Sequence, residues 1–206
     1  MIISPNHKYV FVAVPKTGTH AVRQALRPHM GAGDMEQVGL FVKRQFPIAD
    51  LAKVGHGHIS LEQLRKFMDP AKFAEYFKFA FVRNPFDRFI SYCSFITRER
   101  GAFKTDPQKV MRRVLANPPS EHVLFWPQNT FLVDGEGKLL TDYIGRVETM
   151  QQSFEFIASK IGVPVVQLDK VNATERSAYR DYYDQELIDG VAKLYADDLR
   201  LFEYDF

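Results

Sequence analysis

Two stretches constrain the fold of this chain more than any others, because each is an apolar run that breaks abruptly into a turn and then a helix. Tyr9-Val10-Phe11-Val12-Ala13-Val14 leads into Pro15-Lys16-Thr17-Gly18-Thr19-His20. Phe77-Lys78-Phe79-Ala80-Phe81-Val82 leads into Arg83-Asn84-Pro85-Phe86-Asp87-Arg88-Phe89-Ile90-Ser91-Tyr92. Runs this rich in Val and Phe, with little alternation, suit strands buried on both faces. Strands of that kind separated by helices argue for an α/β protein, and ligands in such sheets bind beyond the carboxyl ends of the strands. Both turns fall at that end.

The expected class is a P-loop-like, three-layer α/β/α fold with a central, mostly parallel sheet. With 206 residues the chain is long enough for one sizeable core, so a single domain over 1–206 is expected. Thr19 to Arg27 reads as a helix with Thr17 or Thr19 near its N-cap and Pro28 stopping it. Ser60 is expected to cap a helix through Phe67, and Asp69-Pro70 to open one ending near Phe77. Pro85 or Phe86 opens a long helix reaching about Arg100, and Pro107 opens another to Leu115. Weak strand signals lie at Val38–Val42 and Val54. Residues 129–141 read as a hairpin looping at Asp134-Gly135-Glu136-Gly137. A short strand at Tyr143–Gly145, a helix from Met150 to Ile161 and one amphipathic helix from Asp184 to Phe202 complete the chain.

A hydrophobic fraction of 46% and a formal charge of +2 are those of an ordinary globular protein, with no nucleic-acid or membrane partner implied. The single cysteine, Cys93, excludes an intramolecular disulfide framework and any multi-cysteine zinc site, and no metal is expected. No run of ~18 apolar residues and no charged leader with a cleavage site occurs, which predicts a cytoplasmic protein without stable membrane insertion. The sequence carries no signal of oligomeric state.

The first turn leaves backbone N–H groups at a helix N-terminus, where the dipole also favours a phosphate or sulfate. Gly18 lets the backbone approach such an anion, Lys16 adds a point charge, and Thr17 and Thr19 add hydroxyl donors. From this segment alone a surface turn with an exposed lysine is an equal reading. A Walker loop fits less well, because its lysine follows the second glycine and Lys16 precedes the only one. In the second turn Arg83 ends a strand and Ser91 lies eight residues on, so the two can grip one phosphate from two directions. Arg88 is expected in a salt bridge on the helix surface, and Asp87 to serve the helix dipole.

The pairing of these turns resembles the two nucleotide-binding motifs of sulfotransferases that use 3'-phosphoadenosine-5'-phosphosulfate (PAPS), and in particular their carbohydrate, heparan 2-O-sulfotransferase-like branch. Gly55-His56-Gly57-His58-Ile59-Ser60 is similar to that branch's His-Gly-His-Val-Ser stretch. Trp126-Pro127-Gln128, Ile144-Gly145-Arg146-Val147-Glu148 and the tail from Asn172-Ala173-Thr174 to Tyr195-Ala196-Asp197-Asp198-Leu199-Arg200-Leu201-Phe202-Glu203-Tyr204 resemble further segments, in the family's order. The membrane anchor and longer insertions usual in eukaryotic members are missing, so the chain looks like a small bacterial-type member.

The resemblance implies that Pro15, Lys16, Thr17, Gly18, Thr19 and His20 hold the 5'-phosphosulfate and that Arg83 and Ser91 hold the 3'-phosphate, with Asn172 and Thr174 closing over the nucleotide. It implies His58 as the base and Lys16 as the group that neutralises the leaving oxygen, with Glu62 the reserve base. His56, Glu62, Trp126 and Gln128 are the candidate acceptor-side residues. The expected reaction moves a sulfuryl group from PAPS, without a metal, to an acceptor hydroxyl of a saccharide or glycoconjugate. A basic rim (Lys43, Arg44, Lys53, Arg98, Arg100, Lys104, Arg112 and Arg113) would suit an anionic sugar, with an ordinary solvated surface as the default reading. An ATP-dependent, P-loop kinase-like phosphotransferase and a non-catalytic module binding nucleotide or sulfated glycan stay open. Magnesium dependence would mark the first, and bisphosphate binding without transfer the second.

Overall fold

A computed structural model describes residues 1–37, 46, 48–168 and 178–206. In chain order the strands and α-helices among them are β1 (Ile2–Ser4), β2 (Tyr9–Val12), α1 (Thr19–Leu26), β3 (Met35–Glu36), α2 (Ala49–Ala52), α3 (Leu61–Arg65), α4 (Pro70–Glu75), β4 (Phe77–Val82), α5 (Pro85–Ile96), α6 (Ala102–Thr105), α7 (Pro107–Ala116), β5 (Tyr143–Arg146), α8 (Met150–Ile161), α9 (Gln185–Leu194) and α10 (Ala196–Phe202). The chain divides into two compact units: Met1–Val82 with Thr130–Val171, and Arg83–Asn129 with Asn172–Phe206.

The first unit holds a sheet of strand order β3-β1-β2-β4-β5. Its centre is parallel, β2 pairing Phe11 with Phe79 and β4 pairing Phe81 with Gly145. The β1 and β3 edge is antiparallel. The α/β/α class expected from the alternation of apolar runs and helices is therefore the one observed. Residues two apart share a face, so Tyr9, Phe11, Phe79 and Phe81 point the same way, and they bury against Val22 and Leu26 of α1 and Phe154, Ile157 and Ile161 of α8. Phe11 and Phe79 stack with ring centroids 5.4 Å apart. The opposite face, with Ile3, Val10, Val12 and Ala80, is buried as well. Burying each such side chain contributes about 1.5–3 kcal/mol, and this two-sided burial is why the strands read as unbroken apolar runs.

The second unit packs α5 against α7 and α9 around Phe86, Phe89, Ile90, Cys93, Met111, Leu187 and Val191. Cys93 is a buried packing residue whose thiol burial pushes to a high pKa.

The local signals set several boundaries. Ser60 accepts from Gln63 N–H while Gln63 returns a bond to Ser60 N–H, a full capping box, although α3 is shorter than expected. Asp69 and Asn84 cap α4 and α5, each with proline following at the first turn. The N-cap of α1 is Gly18, flanked by Thr17 and Thr19, and α1 ends at Leu26 just before Pro28, the chain going on as a 3-10 turn over Arg27–His29. Other expectations need correction. Val54 lies in a turn after α2, not in a strand, and Val38–Val42 are outside the described residues. The 129–141 hairpin reduces to a single bridge, Val133 to Leu139, because Asn129–Phe131 coil into a 3-10 turn. The last helix is two, broken at Tyr195, whose hydroxyl donates to Phe125 O at 2.9 Å. β1 is too short to carry a period-two signal, and it forms through its pairing with β2.

Candidate active site

In the first unit, β2 delivers the chain into a loop made largely by backbone. Thr17 is buried and its hydroxyl donates to Val14 O at 2.9 Å, drawing the loop into a tight turn. Lys16 lies at φ 66° and Gly18 at φ 70°, both left-handed. A lysine there is strained by about 1–3 kcal/mol, a cost that marks functional loops more often than plain turns. Gly18 has a further reason to lack a side chain, since a Cβ would fall 2.8 Å from Met150 Cε. No side chain caps α1 at Gly18, so its first turn presents main-chain N–H groups beside the half-buried Lys16, with Thr19 and His20 as the first two helical residues. Pro15 is buried behind them.

The histidine loop is tied to the same strand end. His58 Nδ1 lies 2.6 Å from Ala13 O. A carbonyl only accepts, so Nδ1 carries the proton and Nε2 is left as a lone-pair acceptor. His58 N–H donates to His56 Nδ1 at 3.3 Å, which fixes His56 in the opposite tautomer. Burial, reinforced by the α-ammonium, His56 and Arg23, pushes the His58 pKa down to about 3, and burial lowers His56 too.

Gln37 and Arg23 pin the loop from behind. Gln37 Nε2 donates to His56 O at 2.9 Å and to Leu51 O at 3.0 Å. Arg23 is buried and bonded to Glu36 Oε1 at 2.7 Å and to Gln37 O at 3.2 Å. Position 57 must be glycine, because a Cβ there would meet Gln37 O at 2.3 Å. Glu62, the reserve base, forms an ion pair with Arg65 at 2.7 Å along α3.

In the second unit, Arg83 begins where β4 ends. Its guanidinium bonds Asp87 Oδ2 at 2.6 Å, so Asp87 does more than serve the helix dipole. Ser91 is one turn beyond Asp87 on the same face of α5. Arg88 is not on the surface as expected. It is 1% exposed, donating to Leu124 O and Trp126 O at 3.2 and 2.7 Å. Trp126 is partly exposed, its indole N–H donating to Ser120 O at 2.6 Å. Gln128 is fully buried, its amide bonded to the main chain of Arg83.

The candidates thus fall into one set per unit, Pro15 to His20 with His56, His58 and Glu62 in the first and Arg83, Ser91, Trp126 and Gln128 in the second. Asn172, Thr174, Lys43 and Arg44 lie outside the described residues. Of the basic rim, Lys53 pairs with Asp50 and Arg112 with Asp184 and Glu186. Among the described residues no cluster of three or more His, Cys, Asp or Glu is placed to hold a metal, and no helix is long and apolar enough to cross a membrane. Sequence reasoning missed Gln37, Arg23 and Asp198 as supports, since their partners are far away along the chain.

Set beside known proteins, the chain matches no curated protein and no solved structure. A model of the sulfotransferase family matches residues 1–205, which takes in both turns, the histidine loop and the aromatic tail. With nearly every residue covered by that match, the chain belongs to the sulfotransferase family, transferases of the sulfuryl group.

Proposed function

We propose that this chain acts as one sulfotransferase domain that moves the sulfuryl group of PAPS to a hydroxyl of a saccharide or glycoconjugate, releasing adenosine 3',5'-bisphosphate. The observation that carries this reading is the bond from His58 to Ala13 O, because it ties a neutral imidazole with a lone pair on Nε2 to the strand that opens the anion loop. The N–H groups of Gly18 to His20 hold the sulfuryl oxygens, and Lys16 offsets the charge that grows on the bridging oxygen as the S–O bond breaks. His58 Nε2 takes the proton from the acceptor hydroxyl as the new S–O bond forms. Transfer of this kind rests on positioning and charge more than on covalent chemistry by the protein.

A base with a pKa near 3 is weak in the unloaded protein. An anion beside an imidazole favours its protonated form. Donor binding therefore strengthens His58 as a base, and proton removal is favoured only once the donor is in place. Arg83 and Ser91 are assigned to the 3'-phosphate, and Asn172 and Thr174 to closing over the nucleotide. Trp126 and His56 are assigned to the acceptor, and no metal takes part.

Calorimetric titration with adenosine 3',5'-bisphosphate, with adenosine 5'-monophosphate and magnesium ATP as controls, tests the reading. Micromolar binding of the bisphosphate, weakened about 10–100-fold in Arg83→Ala and far tighter than that of the monophosphate, supports it and justifies an acceptor screen with PAPS. Equal binding of magnesium ATP, or no binding at all, overturns it.

A further inference from the structure

Gln128 has an unusual set of bonds for a candidate acceptor residue. Its side chain is fully buried, and its carboxamide spans both main-chain groups of one residue. Oε1 accepts from Arg83 N–H at 2.9 Å and Nε2 donates to Arg83 O at 2.9 Å. The amide therefore mimics a neighbouring strand at the residue that follows the end of β4.

Gln128 is itself held. Asp198 of α10, also fully buried, accepts from Gln128 N–H and Asn129 N–H, each at 2.8 Å, one on each carboxylate oxygen. Arg88 fixes the carbonyls of Leu124 and Trp126, and the Tyr195 hydroxyl that of Phe125. On the far side of Arg83, Asn84 donates to Asp205 O at 2.8 Å and caps α5 through Phe86 N–H. Three side chains distant in sequence thus pin the 124–129 segment, and that segment pins one residue. Buried polar networks of this kind add little net stability over apolar packing, but when satisfied they rigidify one geometry.

We infer that Gln128, seated by Asp198, is a positioning residue for Arg83, and that through it the second unit distinguishes a donor nucleotide bearing a 3'-phosphate from one without. This rests on the assignment of Arg83 to the 3'-phosphate. It gives the tail pattern Tyr195-x-x-Asp198 and the Pro127-Gln128 pair a single task. A guanidinium offers bidentate bonds to a phosphate only when its stem leaves the backbone in the right direction, and the amide clamp sets that direction.

The test is calorimetric binding of adenosine 3',5'-bisphosphate and adenosine 5'-monophosphate to the full chain and to Gln128→Leu, Arg83→Ala and the double variant, with melting curves for each. Gln128→Leu is expected to weaken the bisphosphate about tenfold, to leave the monophosphate within about twofold, and to add nothing to Arg83→Ala, since coupled residues are not additive. Gln128→Glu guards against a misfolded leucine variant. A carboxylate still accepts from Arg83 N–H but cannot donate to Arg83 O, whereas a protonated acid can. Its bisphosphate affinity, relative to wild type at the same pH, should recover as the pH is lowered.

If Arg83→Ala weakens the bisphosphate while Gln128→Leu does not, or weakens both nucleotides alike, the inference falls and the donor reading stands. A Gln128→Glu variant that tracks wild type at every pH also overturns the inference. If Arg83→Ala leaves bisphosphate binding intact, the assignment of Arg83 falls and the inference falls with it.

Discussion

The two turns that follow β2 and β4 both end a buried strand and begin a helix, yet they are built in different ways. The first is shaped by its own residues: Thr17 bonds three residues back, Lys16 and Gly18 turn left-handed, and α1 starts uncapped. The second is shaped from a distance, with Arg83 gripped by Gln128, Gln128 by Asp198, and Asn84 by Asp205. A loop of backbone N–H groups follows a shifting negative charge well, because main-chain donors need no reorganisation as charge develops. An arginine on a long flexible side chain makes a selective contact only when its root is held, since otherwise rotamer entropy opposes each bond formed. On the proposed function, the contrast separates a loop suited to the reacting group from one suited to recognising the donor.

Variants should divide along the same line. His58→Ala is expected to lower turnover with PAPS by on the order of 10²–10⁴ while bisphosphate affinity in calorimetry stays within about threefold. Lys16→Ala should lower turnover by about 10²–10³, a larger loss than it causes in bisphosphate affinity. Arg83→Ala should reverse the pattern, weakening the bisphosphate by about 10–100-fold, as the loss of charge-assisted bonds to one phosphate implies. If Arg83→Ala instead lowered turnover at saturating donor as much as His58→Ala does, the contrast between the loops would collapse.

Gly18→Ala introduces a side chain at φ 70° and against Met150. It should destabilise the fold by about 1–2 kcal/mol in urea unfolding and weaken the bisphosphate, whereas Gly101→Ala, also left-handed but with nothing near its Cβ, should cost only stability. Ser60→Ala removes the capping box of α3 and should cost about 1 kcal/mol, with a small fall in melting temperature.

His58 supplies a pH test of the first unit. Its folded pKa of about 3 lies below the ordinary 6.5. Between those values the unfolded chain binds a proton that the folded one refuses, so stability rises with pH across that window. The contribution is fully present above 6.5 and is lost as the pH falls toward 3. Melting curves from pH 7 down to 4 should therefore fall more steeply for wild type than for His58→Asn, and parallel curves would show that His58 is not held neutral by the fold.

Much of this was legible in the residues. The runs at Tyr9–Val14 and Phe77–Val82 announced the central strands because burial on both faces leaves no room for polar alternation. Ser60, Asp69, Pro85 and Pro107 marked helix starts because caps and first-turn prolines act within one turn. Arg88 was misplaced on the surface, since a charged residue at a helix position reads as solvated until carbonyls from another segment surround it. Gln128 read as an acceptor contact because nothing in Trp126-Pro127-Gln128 reveals that its amide meets a main chain 45 residues earlier. The hairpin at 129–141 keeps its turn and the Val133–Leu139 bridge but is shorter than expected for a related reason, as Asn129 N–H is taken by Asp198 and Asn129–Phe131 coil.

By itself the sequence determined the α/β class and the two strand–turn–helix units, because these depend on burial period and caps within a few residues. The tertiary structure alone decided which tautomer His58 holds, how far its pKa falls, and that a buried aspartate and glutamine hold the root of Arg83. Those properties depend on carbonyls, charges and excluded water brought together from distant segments, and no local pattern of residues encodes them.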